Sequence, residues 1–162
     1  MKNAYSIPYS ICPFCFNEKK SETVCPFCGC GNGSCPQFAA QQILPGSVLN
    51  GHFVVGKLLG QGSFGITYLC FDLDKNKKVA IKEYFPSEYV RRNNLEMIPD
   101  AVNYSDLVIR GMEYFCEEVK ILMEFNQHPN IVQIDDYFFE NGTAYFVMEY
   151  VEGVSLKNYL DI

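Results

Sequence analysis

Histidine is scarce in this chain of 162 residues, which holds only His52 and His128. His52 lies just ahead of the first expected strand, and His128 stands before Pro129-Asn130. A lone histidine in such a setting is more often a turn residue than a ligand, so neither is assigned chemistry. No apolar run approaches the length of a membrane span, and the N-terminus has no signal-peptide profile. Basic charge is in deficit: 13 Lys and Arg face 19 Asp and Glu, for a net charge of −6. The imbalance falls after residue 50, where ten basic side chains meet seventeen acidic ones. An acidic surface argues against broad nucleic-acid binding. The first fifty residues are almost uncharged and carry no basic stripe. Disorder-type bias is absent too, since 48% hydrophobic and 15% aromatic residues suffice for a core.

Cysteine, by contrast, is abundant in the first part of the chain. Cys12-Pro-Phe-Cys15 and Cys25-Pro-Phe-Cys28 are two C-x2-C turns separated by nine residues. They are the only internal repeat. Each turn can place two sulfurs on one metal, and together they close a tetrahedral S₄ site with Zn–S near ~2.3 Å. The pattern looks like a zinc ribbon, and Gly29 suits the sharp turn after the second pair. Iron in a rubredoxin-like site is the alternative metal. Cys30 could take the place of Cys28, or Cys30 and Cys35 could be spare thiols. Four engaged sulfurs leave no open coordination position, which makes the zinc structural. A unit this small cannot fold on apolar burial, so metal would supply most of its stability, on the order of 10 kcal/mol. Cys70 and Cys116 stand alone and read as buried apolar thiols.

The most informative passage is Gly60-Gln-Gly-Ser-Phe-Gly65 with Ile66-Thr-Tyr-Leu-Cys-Phe-Asp72 after it, then Val79-Ala-Ile-Lys82. A glycine-rich run alone is weak, because several nucleotide folds use one. Here the last glycine leads into Ile66, Thr67, Tyr68, Leu69 and Phe71, which favour a strand over a helix. The passage reads as strand, Gly-rich turn, strand, a second turn at Asp-Leu-Asp-Lys-Asn-Lys, and a third strand carrying Lys82. Glycines let backbone N–H groups approach a phosphate chain, and the ammonium supplies countercharge. Ala80 and Lys82 share a strand face, so a small residue leaves room for a flat base while the lysine reaches its phosphates.

These residues resemble the start of a protein kinase domain, with its Gly-rich loop and third-strand lysine. Thr67 stands where the family usually has valine. Ile81-Lys-Glu-Tyr-Phe-Pro-Ser-Glu88 is similar to bacterial serine/threonine kinases in particular. The resemblance implies ATP as cofactor, with magnesium in the full-length protein. It implies binding through Leu59, Gly60, Gln61, Gly62, Ser63, Phe64, Gly65, Thr67, Ala80 and Lys82. A cytoplasmic kinase neighbour makes disulfides an unexpected use of the cysteines.

Downstream, Asp106–Phe125 is expected to be a helix capped by Ser105, with Leu107, Val108, Met112, Phe115, Cys116, Val119, Leu122 and Met123 at three- and four-residue steps. In the family this helix carries a glutamate that pairs with the lysine. Glu118-Val-Lys-Ile-Leu122 before His128-Pro-Asn-Ile-Val132 matches that pattern, so Glu118 joins Lys82 as the catalytic pair, with Glu117 as the fallback. Ile131–Phe139 and Thr143–Tyr150 read as strands around Asn141-Gly142, a strong hairpin signal. Phe146-Val-Met-Glu-Tyr-Val-Glu-Gly153 resembles the hinge between kinase lobes. On that likeness Met148 backs the adenine pocket, while Glu149 and Val151 offer backbone groups to the base. Ser155 falls where many relatives place an acidic ribose contact, and begins a short helix. Residues 91–103 form an insertion, with a short helical turn or a flank of the substrate side as the expectation.

The expected fold is α+β: a kinase N-terminal lobe with a five-stranded antiparallel sheet and one main helix at 51–162, a ribbon at 1–36 and a linker at 37–50. The family's His-Arg-Asp and Asp-Phe-Gly motifs occur nowhere in these residues. The chain is therefore expected to be inert for phosphoryl transfer by itself, whether it is a piece of a longer kinase or a natural short protein. A non-catalytic nucleotide sensor and an interaction module are the other readings. Expected partners are nucleotide and, in the full-length kinase, a protein substrate or regulator; surfaces left uncovered favour self-association.

Overall fold

The computed structural model describes residues 7–19, 23–31, 41–101, 104–154 and 156–160. In chain order the elements are β1 (Val48–Leu49), β2 (Phe53–Gln61), β3 (Gly65–Asp72), β4 (Lys77–Tyr84), β5 (Val90–Asn93), β6 (Glu96–Pro99), α1 (Ser105–Glu124), β7 (Ile134–Glu140), β8 (Thr143–Glu149) and α2 (Leu156–Leu160). Six strands form one antiparallel sheet in the order β1-β2-β3-β4-β8-β7, while β5 and β6 make a separate hairpin. The five expected strands are all there. The sixth is the two-residue β1, paired Val48↔Val54 and Leu49↔Phe53 ahead of the expected first strand. It forms because Leu49 is fully buried and brings its backbone alongside β2.

Turn chemistry sets the hairpins. Asn141 and Gly142 both take positive φ (53° and 71°), as a two-residue turn between twisted strands requires, and close β7 onto β8 at Glu140↔Thr143. Asn94, at φ 54°, does the same for β5–β6. That hairpin replaces the helical turn expected within 91–103: Val90 and Met97 are buried, and alternation along two short strands buries them together. The helix begins one residue earlier than expected, behind Tyr104 and without a side-chain cap. Tyr104 is already helical in φ and ψ, which leaves Ser105 inside the first turn. Val108, Phe115 and Val119 are its buried residues, whereas Leu107 and Met123 stay exposed.

Strand alternation separates two working faces. One carries Ile66, Tyr68, Cys70, Val79, Ile81, Tyr145 and Val147, all nearly inaccessible. Residues expected to act as a linker pack with this core: Ile43 is 2% exposed, and its N–H donates to the Tyr68 hydroxyl at 3.1 Å. The other face, read along β4, presents Tyr84, Lys82, Ala80 and Lys78 in turn. Tyr84 packs on Phe115 of α1, with ring centroids 5.6 Å apart.

Gly111 is what admits that tyrosine. A Cβ at Gly111 would collide with the Tyr84 hydroxyl, and Tyr84 is itself buried. Gly111→Ala should therefore destabilise the chain by roughly 1–3 kcal/mol through overpacking, against a helix-propensity gain of about 1 kcal/mol. Urea denaturation checks this; a stabilised variant would mean that the ring swings aside freely.

Candidate nucleotide and metal sites

The Gly-rich segment is a strand–turn–strand unit and not a helix start. Gly60 and Gln61 end β2, Gly65 opens β3, and the Gly62 N–H donates to the Gly65 carbonyl at 2.9 Å. Gly60 pairs with Thr67, which pairs in turn with Lys82. A Cβ at Gly65 would stand 2.7 Å from the Glu83 carbonyl oxygen and 3.5 Å from Lys82 Cε, so the last glycine lies directly against the lysine. Gly60 and Gly62 have open space where a side chain would be.

Two hollows flank this turn. Leu59, Thr67, Ala80, Met148, Glu149 and Val151 line a cleft of about 550 Å³, together with Lys57, Leu58, Val132 and Tyr150. These six come from β2, β3, β4, β8 and the segment after it, and all were singled out from sequence. Val132 and Lys57 were not: Val132 closes the His128-Pro-Asn-Ile-Val132 run but was given no binding role, and Lys57 lies outside the motifs that carried the resemblance. The second hollow, about 470 Å³, is lined by Phe64, Lys82, Tyr84, Tyr114, Phe115 and Glu118 among others. Glu118 lines it, together with Lys82, and Glu117 does not. Lys82 and Glu118 nevertheless form no ion pair here. The Lys82 ammonium lies 5.4 Å from the Phe146 ring centroid and 5.7 Å from that of Phe115, while Glu118 stays exposed. A solvated carboxylate gains little from pairing, and the rings offer the cation a competing site. Gln61 and Ser63 are exposed at the turn, and Ser155 lies outside the described residues. His52 and His128 sit in loops: His52 Nδ1 is 2.7 Å from the Asn50 carbonyl oxygen, and His128 Nδ1 accepts from the Asn130 N–H at 3.2 Å.

Behind the lysine is a polar network that the sequence reading overlooked. Glu83 is completely buried and accepts from Arg92 (2.7 Å), Tyr145 (2.9 Å) and Tyr68 (3.0 Å). Arg92 reaches it from β5, stacks over Phe85, and donates to the carbonyls of Gln41 and Leu95. Burial pushes the Glu83 carboxyl up, with Arg92 and the two phenols pulling it back; burial likewise raises both phenols. The signal available in sequence was an acid at an inward position of an apolar strand. On the edge, Lys77 and Lys75 hold Asp135 below the usual carboxylate range.

The four expected cysteines converge. The Sγ atoms of Cys12, Cys15, Cys25 and Cys28 all lie within 4.8 Å of one another, with Cys12–Cys28 and Cys15–Cys25 both at 3.6 Å. A tetrahedron with Zn–S of ~2.3 Å has sulfur–sulfur edges of roughly 3.8 Å, so the donor set fits a zinc ion in size and chemistry. Cys28 and not Cys30 completes the group; Cys35 lies outside the described residues. The two turns repeat each other: Phe16 N–H donates to the Cys12 carbonyl and Gly29 N–H to the Cys25 carbonyl, both at 2.8 Å. Gly29 and Phe16 hold matching left-handed positions, φ 71° and 54°. For phenylalanine that conformation costs on the order of 1 kcal/mol or more. The cost is offset by burial, since Phe16 is 4% exposed against Val54, Leu69 and Phe71 of the sheet. Cys70 is buried and Cys116 partly so, and burial raises both thiols.

A curled antiparallel sheet with one packed helix, a glycine turn laid against a strand lysine, and a cleft beside it define a protein kinase N-terminal lobe, here with a four-cysteine ribbon ahead of it. Residues 53–161 match the protein kinase domain, and the chain belongs to that family. It is 33% identical over 114 residues to CBL-interacting serine/threonine-protein kinase 12 of Arabidopsis thaliana, covering 70% of this chain and 20% of that protein. It is 27% identical over 115 residues to the probable serine/threonine-protein kinase YbdM of Bacillus subtilis (strain 168), covering 71% and 38%. The solved PpkA-294 apo form superposes with a TM-score of 0.71 at 30% identity, covering 75% of this chain and 43% of that one. The chain thus spans less than half the length of each of these relatives. Among the described residues, no helix is long and apolar enough to cross a membrane.

Proposed function

We propose that this chain is the ATP-binding part of a serine/threonine kinase, with a structural zinc in its ribbon. The adenine would lie in the cleft between Leu59, Ala80 and Met148, with Glu149 and Val151 meeting its edge through backbone groups. The Gly60–Gly65 turn would cover the phosphates, Lys82 would neutralise them, and Glu118 would steady Lys82 once nucleotide draws the ammonium away from the rings. The observation that carries this reading is the convergence of Leu59, Thr67, Ala80 and Met148 on one cleft, beside a lysine packed against the glycine turn. Magnesium would be held between phosphates and carboxylates in the longer protein, and a protein hydroxyl is the proposed acceptor there. These 162 residues hold neither a His-Arg-Asp nor an Asp-Phe-Gly motif. By themselves they would grip nucleotide without transferring phosphoryl. The resting place of Lys82 between two rings, unpaired with Glu118, favours as a second reading a non-catalytic nucleotide-binding module.

Calorimetric titration with ATP tests the assignment. Wild type is expected to bind, and Lys82→Met to weaken binding about tenfold or more, the worth of one charge-assisted contact. Unchanged affinity would remove Lys82 from the site. Incubation with ATP and a generic protein acceptor checks the inertness that both readings share, since any transfer by this chain would refute it.

A further inference from the structure

The ribbon is seated on the same sheet face as the nucleotide cleft, at the strand that roofs it. β2 pairs with β3 regularly to Val55↔Cys70, then loses register around Gly56 and Lys57 and resumes at Leu58↔Tyr68. A bulge of this kind releases a backbone donor from the ladder. The released Lys57 N–H donates to the carbonyl of Phe14 at 2.8 Å. Phe14 lies inside the first metal turn, between Cys12 and Cys15.

Gly56 is the matching notch. A Cβ there would stand 2.5 Å from Phe16 Cε2 and 2.6 Å from the Phe14 carbonyl oxygen. Phe16 adopts its left-handed backbone and buries its ring on Val54, Leu69 and Phe71, with Tyr150 packed beside them. A third tie lies across the cleft's far wall: Lys78 donates to Asn17 Oδ1 at 2.6 Å and pairs with Glu152 at 3.0 Å. The ribbon therefore holds both Lys57–Leu59, the roof of the cleft, and the segment after β8 that forms its wall.

The second metal turn sharpens the point. Where its backbone takes the same conformation, it uses Gly29, which meets no strain and touches nothing within 4 Å at its Cβ position. A ribbon that only folded around metal would use glycine in both places. Phenylalanine in the first turn serves the contact with the sheet and not the metal turn itself.

We infer that Phe16 and Gly56 form a latch through which the metal-loaded ribbon positions the roof of the nucleotide cleft, so that zinc and ATP bind with positive coupling. This rests on the nucleotide reading above. Without metal the first turn loses its shape, the Phe14 carbonyl leaves the Lys57 N–H, and Lys57–Leu59 lose their support. Linkage makes the effect reciprocal: ATP raises zinc affinity by the factor by which zinc raises ATP affinity.

The test uses the whole 162-residue chain. ATP affinity is measured calorimetrically with zinc bound and after its removal by a zinc-selective chelator, and amide hydrogen exchange at Lys57 is followed in parallel. The expected result is an affinity loss of about 5- to 10-fold on zinc removal, at the low end of ordinary coupling energies, with lost protection at Lys57. Phe16→Gly relieves the strained turn and should still bind one zinc, yet bind ATP as weakly as the zinc-free wild type. Gly56→Ala blocks the notch from the other side and should behave alike. Equal ATP affinity with and without zinc, or a zinc-loaded Phe16→Gly variant matching wild type, overturns the latch while leaving the nucleotide reading intact. No ATP binding by zinc-loaded wild type overturns both.

Discussion

Arg92→Met is expected to cost about 3–5 kcal/mol of folding free energy, the loss that follows when one partner of a buried ion pair is removed. Arg92 and Glu83 side chains are 3% and 0% exposed and meet at 2.7 Å. Methionine preserves much of the stem's packing on Phe85 but supplies no charge, leaving Glu83 to the two phenols alone. Replacing both members by apolar residues should recover much of the loss, because no buried charge then remains. The sign with pH follows from burial. The folded-state value of Glu83 lies above its unfolded one, so its contribution is fully present below the ordinary glutamate range and is lost as pH rises through the raised value. Without Arg92 that rise is larger, and the Arg92→Met penalty should shrink toward acid pH and grow toward neutrality. Urea denaturation of wild type and variant across that range measures it. A loss under about 1 kcal/mol at neutral pH would place the pair in solvent.

Zinc removal is expected to unfold the ribbon while the sheet keeps its core. The ribbon's own buried cluster consists of little besides its cysteines and Phe14, so bound metal, worth on the order of 10 kcal/mol, would be what holds it. The lobe has an independent core running from Ile43 and Leu49 through Val147. Metal analysis should return about one zinc per chain, and serine at Cys12, Cys15, Cys25 or Cys28 should abolish tight binding. Hydrogen exchange after chelation should show protection lost around Cys12–Asn17 and Cys25–Gly31 but kept in β3 and β4. Ribbon amides that stay protected without metal would refute a structural role, and iron in place of zinc would select the rubredoxin-like alternative.

Local chemistry made much of the site legible beforehand. The strand after Gly65, the alternation that puts Ala80 and Lys82 on one face, the Asn141-Gly142 turn and the paired Cys-x2-Cys turns are each decided within a few residues, where backbone preference and side-chain period act directly. Elements whose reason lies elsewhere in the fold were harder to read. β5–β6 forms because Val90 and Met97 find a core to fill and Arg92 finds Glu83, a partner nine residues away in sequence on another strand. The segment from Gln41 to Leu49 looked like a connection because its low charge says nothing about what it covers.

In the sequence alone the class of protein was carried by a family resemblance, while spacing and conformational preference sufficed for the glycine turn with its lysine, the two Cys-x2-Cys turns and the hairpin around Asn141-Gly142. The choice of Cys28 over Cys30 came with the fold. Only the tertiary structure decided that Lys82 rests near two aromatic rings without pairing to Glu118, that Glu83 is locked by Arg92, and that the ribbon is seated on β2 through Phe16. Each of these depends on which surfaces exclude water together, and burial of that kind is a property of the assembled fold and not of any one segment.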